Sequence, residues 1–167
     1  MKFDSLCAKE IKDNRSTKPH VLPIYPTSSF AFENIDEGIE MFAGKKSGHK
    51  YSRYGNPTTD TVAKKIAQME AFGLEVDAGA KLCSSGMAAI FMATNPFLSR
   101  DASQGLNFVA SSKCYGGAFM LFSERYGKEQ GVDVRWVRDN LNIGEWEQRI
   151  DENTRFIYTE MPSNPGL

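Results

Sequence analysis

The chain has 167 residues with 20 Lys+Arg against 21 Asp+Glu, so its formal charge of −1 argues against a domain-wide basic field for nucleic acid. Hydrophobic residues make up 41% and charged residues 25%, with 14 glycines and 7 prolines, which excludes wholesale low-complexity disorder. No apolar run approaches the ~20 residues that span a bilayer, and Met1-Lys2-Phe3-Asp4-Ser5 does not open a secretory h-region. Cys7, Cys83 and Cys114 form no CxxC pair, so neither a disulfide framework nor a zinc site is indicated. The composition reads as a reduced, cytosolic protein of about one domain.

The first 35 residues read as an extended arm. Pro19, Pro23 and Pro26 oppose a helix, while Val21, Leu22, Ile24, Tyr25, Phe30 and Phe32 are too apolar for a free tail and call for a docking surface. Residues 36–43 suit a short helix with Ile39 and Phe42 on one face. The loop 43–50 is basic and punctuated by glycine. His20 and His49 lack an acidic neighbour at ligand spacing and are read as neither catalytic nor metal-binding. Asn56 caps a helix that starts at Pro57. Val62, Ile66, Met69 and Phe72 mark its expected core stripe, and Gly73 its stop.

Strands and helices then alternate. Ala80–Cys83 is expected as a strand, followed by Ser84-Ser85-Gly86 turning into a helix from Met87 to about Thr94 that Pro96 closes. Strands follow at 106–110, 132–138 and 155–159, with helices at 117–127 and 144–150. This order predicts βαβ units and a parallel sheet. A Rossmann-type nucleotide binder fits that pattern, but no G-x-G-x-x-G follows a strand.

Several turns have chemical potential. Ser84-Ser85-Gly86-Met87 lies between a strand and a helix, where free N–H groups favour a phosphate, although an ordinary serine-capped turn explains it equally. Tyr51 and Arg53 are phosphate-capable donors two residues apart, or a solvated loop. Tyr115 follows a strand end, where α/β sheets place ligand contacts and an aromatic ring can stack on a flat group. Glu160 and Asn164 follow another strand end, on a loop that turn chemistry alone could account for.

The ordered series Leu22-Pro23-Ile24-Tyr25-Pro26-Thr27-Ser28-Ser29-Phe30, Tyr51-Ser52-Arg53-Tyr54-Gly55-Asn56-Pro57-Thr58, Ser84-Ser85-Gly86-Met87-Ala88-Ala89-Ile90, Cys114-Tyr115-Gly116-Gly117 and Glu160-Met161-Pro162-Ser163-Asn164-Pro165 resembles the Cys/Met-metabolism (trans-sulfuration) family of pyridoxal phosphate enzymes. The resemblance runs from about Pro19 to the last residue. It implies an α/β fold of the PLP-dependent transferase fold type I, with an arm and inter-subunit loop over 1–57 and part of the large cofactor domain over 58–167. It implies that Ser85, Gly86 and Met87 hold the cofactor phosphate, with Tyr51 and Arg53 reaching it from a neighbouring subunit of a dimer or tetramer. Tyr115 would stack on the pyridine ring and take part in proton transfer or leaving-group activation. Asn164 would contact the ring's 3-oxygen, and Glu160 would form part of the same wall.

In this family the Schiff-base lysine and the carboxylate opposite the ring nitrogen follow the Pro-x-Asn-Pro loop, and no Ser-x-Thr-Lys type motif occurs in these residues. Ser111-Ser112-Lys113 precedes the stacking tyrosine and matches a different position. The expectation is therefore an N-terminal portion of a longer enzyme, inactive on its own and poorly stable with its sheet edge unpaired. Gly117 after Tyr115-Gly116 looks more like sulfhydrylases and γ-synthases than methionine γ-lyases, which tend to carry cysteine there. The implied activity is γ-replacement on O-acylhomoserine. The alternatives are a γ-lyase acting on methionine or cystathionine, and a non-catalytic chain that pairs with a family subunit. No metal is expected.

Overall fold

The computed structural model describes residues 3–8, 20–98 and 105–166, without the side chains of Leu6 and Ala8. It divides into Met1–Leu82 and Cys83–Leu167. The sequence reading places the boundary after residue 57, whereas the packing keeps the helix that follows with the arm. The reason is local. Tyr25 N–H donates to Thr58 Oγ1 (2.9 Å) and Asn56 Nδ2 donates to Tyr25 C=O (3.0 Å), so the arm is pinned to the start of that helix.

The N-terminal unit holds three helices among its described residues: α1 (Phe3–Ala8), α2 (Ile35–Phe42) and α3 (Pro57–Glu70). The helix α1 interrupts the expected arm. Phe3 meets Phe72 edge-on at 5.1 Å, and that contact anchors α1 near the end of α3. Pro19 lies outside the described residues. Residues 21–33 form no helix, and their segment around Ser29 pairs with the Tyr51 segment. Ser29 and Tyr51 form an antiparallel bridge, with Phe30 N–H to Lys50 C=O and Ser52 N–H to Ser28 C=O, both 3.0 Å. Asn34 and Asn56 cap α2 and α3 by accepting from Glu37 and Thr58 N–H. Gly73 takes φ +80°, a left-handed conformation that suits glycine after a helix.

The expected core stripe of α3 is not buried. Val62 and Ile66 are exposed, while Ala63 and Ala67 are buried. Periodicity reveals which residues share a face, but not which face the chain covers. Here the small residues face inward.

The C-terminal unit has α4 (Gly86–Leu98), β1 (Asn107–Ser111), α5 (Gly116–Met120) continuing as a π-helical stretch over Leu121–Glu129, β2 (Asp133–Val137), α6 (Ile143–Glu147) and β3 (Thr154–Tyr158). The sheet is parallel in the order β2-β1-β3. The central strand is buried at all five positions, as a strand covered on both faces must be. Three expectations are corrected. Ala80–Cys83 is irregular, because no described strand pairs with it, and Cys83 is exposed. Pro96 lies within α4, two residues before buried Leu98 ends the helix. The helix after Gly116 widens into π turns, which the four-residue spacing of Phe122 and Tyr126 could not reveal, since both rings share a face in either helix type.

The core of this unit is aromatic. Phe108 stacks on Phe156 at 4.5 Å and meets Phe122 edge-on at 5.0 Å. Phe122 and Tyr126 are fully buried, and the Tyr126 hydroxyl shares a hydrogen bond with Thr94 Oγ1 (3.0 Å). Val132, Val134 and Trp136 pack on the same cluster, as their alternation predicts.

Candidate functional site

In a parallel sheet all strands end on the same side, so the loops after them converge there. After β1 come Lys113, Cys114 and Tyr115, and after β3 come Glu160 and Asn164. The structure joins these loops directly. Tyr115 N–H donates to Glu160 Oε2 (2.8 Å), and Asn164 N–H donates to Lys113 C=O (3.2 Å). Tyr158 O–H donates to the other Glu160 oxygen, Oε1, at 2.7 Å. Ser111 Oγ donates to Asn140 Oδ1 (2.8 Å) and accepts from Lys113 N–H (3.0 Å), which fixes the turn leaving β1.

The electrostatics follow from these contacts. Burial pushes the Tyr158 hydroxyl's pKa up, and its bond to the Glu160 carboxylate raises it further, so Tyr158 remains a donor at neutral pH. Burial also raises the Cys114 thiol, with the charge of Glu160 adding to the effect. Cys114 is accordingly a packed thiol rather than a nucleophile.

Tyr115 precedes α5 and is 52% exposed. Its ring lies over Gly117. A Cβ on Gly117 would lie 2.6 Å from Tyr115 Cε1 and 3.0 Å from Met87 Sδ. Glycine there allows the tyrosine ring and the start of α4 to approach each other.

Ser85 caps α4. Its Oγ accepts from Ala88 N–H (3.1 Å) and its C=O from Ala89 N–H (3.0 Å). Gly86 and Met87 occupy the next two positions, whose N–H groups no carbonyl inside the helix can reach. A Cβ on Gly86 would meet nothing within 4 Å, so no neighbouring group crowds the backbone at the start of α4 on that side. A phosphate suits these N–H groups, and a flat aromatic ring suits the exposed face of Tyr115. The residues present therefore fit a phosphorylated pyridine.

Six of the expected site residues thus gather at one end of one sheet: Ser85, Gly86, Met87, Tyr115, Glu160 and Asn164. Tyr51 and Arg53 belong to the N-terminal unit. There the Arg53 guanidinium lies over the rings of Tyr51 (4.8 Å) and Tyr54 (5.0 Å). Among the described residues no carboxylate is within ion-pair distance of it. Its charge is held in place by aromatic faces and open to an anion.

Two contacts join residues that their individual sequence contexts do not pair. His49 Nε2 is 3.0 Å from Asp60 Oδ2, an acidic partner eleven residues away in the first turn of α3. Tyr158 to Glu160 is the other, and Tyr158 lies two residues before Glu160 at a strand end. Period-two alternation there was a usable signal.

The profile of the Cys/Met metabolism PLP-dependent enzyme family matches residues 5–167. The homocysteine synthase of Schizosaccharomyces pombe is 36% identical over 150 residues, covering 90% of this chain and 32% of that protein. The L-methionine gamma-lyase of Fusobacterium nucleatum is 37% identical over 146 residues, covering 87% and 34%. A Campylobacter jejuni crystal structure described as an O-acetylhomoserine (thiol)-lyase, with an N'-pyridoxyl-lysine-5'-monophosphate, superposes with a TM-score of 0.82 at 32% identity, covering 99% of this chain and 38% of that one. The chain spans about a third of the length of the relatives it matches. Matched by the family profile over residues 5–167, the chain belongs to the Cys/Met metabolism family of PLP-dependent enzymes.

Proposed function

We propose that this chain forms the N-terminal part of a sulfur amino-acid enzyme that carries out γ-replacement on an O-acylated homoserine, of the sulfhydrylase or cystathionine γ-synthase type. One observation carries the reading. The open first turn of α4 and the exposed ring of Tyr115 meet at Gly117, the residue with no side chain to separate them.

Pyridoxal phosphate, when bound, supplies an electron sink for charge developing on an amino-acid substrate. The chain's own residues hold and cover it. Gly86 and Met87 N–H, with the Ser85 cap, bind the phosphate. Tyr115 shields one ring face, and its hydroxyl moves a proton to or from the substrate side chain. Asn164 stands beside the ring's 3-oxygen. Tyr51 and Arg53 of a second copy complete the phosphate site, so the working unit is at least a dimer in the cytoplasm. None of these residues attaches the cofactor, and these 167 residues by themselves are expected to be inactive.

The second reading is γ-elimination from methionine, favoured by the similarity to the Fusobacterium lyase. To separate the two, the enzyme that contains this chain is incubated with O-acetylhomoserine plus sulfide, and separately with methionine. Homocysteine and acetate from the first mixture support γ-replacement. Methanethiol, ammonia and 2-oxobutanoate from the second support elimination. If neither forms, and borohydride reduction with pyridoxal phosphate leaves no adduct, the chain is a non-catalytic member of the family.

A further inference from the structure

We propose that Glu160 is a positioning residue for Tyr115 and not a cofactor contact, an inference that rests on the reading above that Tyr115 faces the ring. Both of its oxygens are engaged by the protein: Oε2 accepts the Tyr115 N–H at 2.8 Å and Oε1 the Tyr158 O–H at 2.7 Å. The Tyr158 ring meets the fully buried Phe122 edge-on at 4.8 Å, so that hydroxyl is fixed by the core. A rigid path therefore runs from Phe122 through Tyr158 and Glu160 to the backbone of Tyr115. The bond from Asn164 N–H to Lys113 C=O joins the same two loops a second time.

Tyr115 needs such a brace. Its side chain makes no capping bond to α5, its ring is half exposed, and the glycines on its C-terminal side offer no side chain to restrain it. A ring that must lie flat against a ligand loses alignment when its backbone is free to rotate.

The test compares E160A, E160Q and Y158F in the enzyme that contains this chain. Glutamine can accept the Tyr115 N–H through its oxygen and donate to the Tyr158 oxygen through its amide, so it preserves both links without the charge. Three readouts are taken: the visible circular dichroism of bound pyridoxal phosphate, its dissociation constant, and hydrogen exchange of the Tyr115 amide. In E160A we expect exchange and cofactor dissociation each to rise roughly tenfold, the scale of one lost bond to a charged acceptor. The dichroic band should shrink. E160Q should stay within about threefold of the parent, and Y158F should fall between. If E160A does not fold, E160Q and Y158F still decide the matter.

E160Q losing as much affinity as alanine while its Tyr115 amide stays protected would overturn the proposal, because the charge itself would then touch the ligand. Parent-like dichroism and exchange in E160A or Y158F would overturn it too. A parent enzyme with no cofactor band sinks the functional reading instead, while amide exchange still tests the brace.

Discussion

The two ends of the three-stranded sheet use similar residues for opposite purposes. At the amino end, the fully buried Asn107 donates to Asp151 Oδ1 (2.8 Å) and accepts from Thr154 Oγ1 (2.7 Å). Arg135 reaches Asp133 Oδ2 and Asp151 Oδ2, both at 2.7 Å, and Arg149 C=O at 2.8 Å. Every one of these groups closes on another protein group, and the network ties all three strands together. At the carboxyl end, the bonds of Ser111, Lys113, Glu160 and Asn164 shape the loops, while the start of α4 at Gly86 is uncrowded and Tyr115 is half exposed. A polar cluster that satisfies itself stabilises. One that leaves donors pointing outward can bind.

The sharpest way to break this comparison is Asn107→Ala. It removes the bond that Asn107 donates to Asp151 Oδ1 and the oxygen that accepts from Thr154 Oγ1, and it opens a gap at a fully buried position, so it should cost about 2 kcal/mol in urea denaturation. The pyridoxal phosphate affinity of the folded protein should not change. A loss of affinity would mean that the amino end serves the site.

The same network sets an acid limb. The bonds from Asn107 and Arg135 lower the Asp151 pKa from its ordinary value to about 2. A depressed carboxylate contributes stability that is present above its unfolded pKa, near 4, and lost as pH falls toward 2. Stability measured from pH 5 to 2 should fall less steeply in Asp151→Asn than in the parent. Parallel curves would remove Asp151 from the network's energetics.

What the sequence made legible has a physical pattern. Caps and turns were readable because Asn56, Pro57, Ser85 and Gly73 act within a few residues of themselves. The parallel sheet was readable because Phe108, Val109 and Ala110 form a strand apolar on both faces. Pairings across long separations were not readable, such as Tyr115 with Glu160, 45 residues apart, and Thr154 with Asn107, 47 apart. The burial of α3 was misjudged because Ala63 and Ala67, whose small side chains carry little hydropathic signal, are the residues that face inward. The chemical residues were recognisable mainly through their ordered resemblance to a family. Each alone reads as an ordinary turn.

A smaller effect tests the outward-facing end. Ser85→Ala removes the bond that Ala88 N–H donates and should cost about 1 kcal/mol of stability. It should also weaken phosphate binding, since the cap fixes the direction of the Gly86 and Met87 N–H groups. Ser85→Asp would restore the cap but place a negative charge at the phosphate position. Helix stability should return while affinity for pyridoxal phosphate falls further. If Ser85→Asp restored both, the open turn of α4 would not be where the phosphate sits.

The smallest change in stability is expected at Gly117, where the effect on function should be the more visible one. Replacing a helical glycine by alanine typically gains up to about 1 kcal/mol. Here the new Cβ would press on the Tyr115 ring and on Met87 Sδ. Both are side-chain atoms that can turn aside, so the gain and the strain should nearly cancel, within about 0.5 kcal/mol. The ring cannot turn aside and keep its place over the start of α4. Gly117→Ala should therefore melt with the parent yet show an altered dichroic band for bound pyridoxal phosphate. A variant that melted with the parent and also kept its band would mean that the ring's resting position over Gly117 is not the one it uses with the cofactor. The two ends of the sheet would then differ in exposure but not in preorganisation.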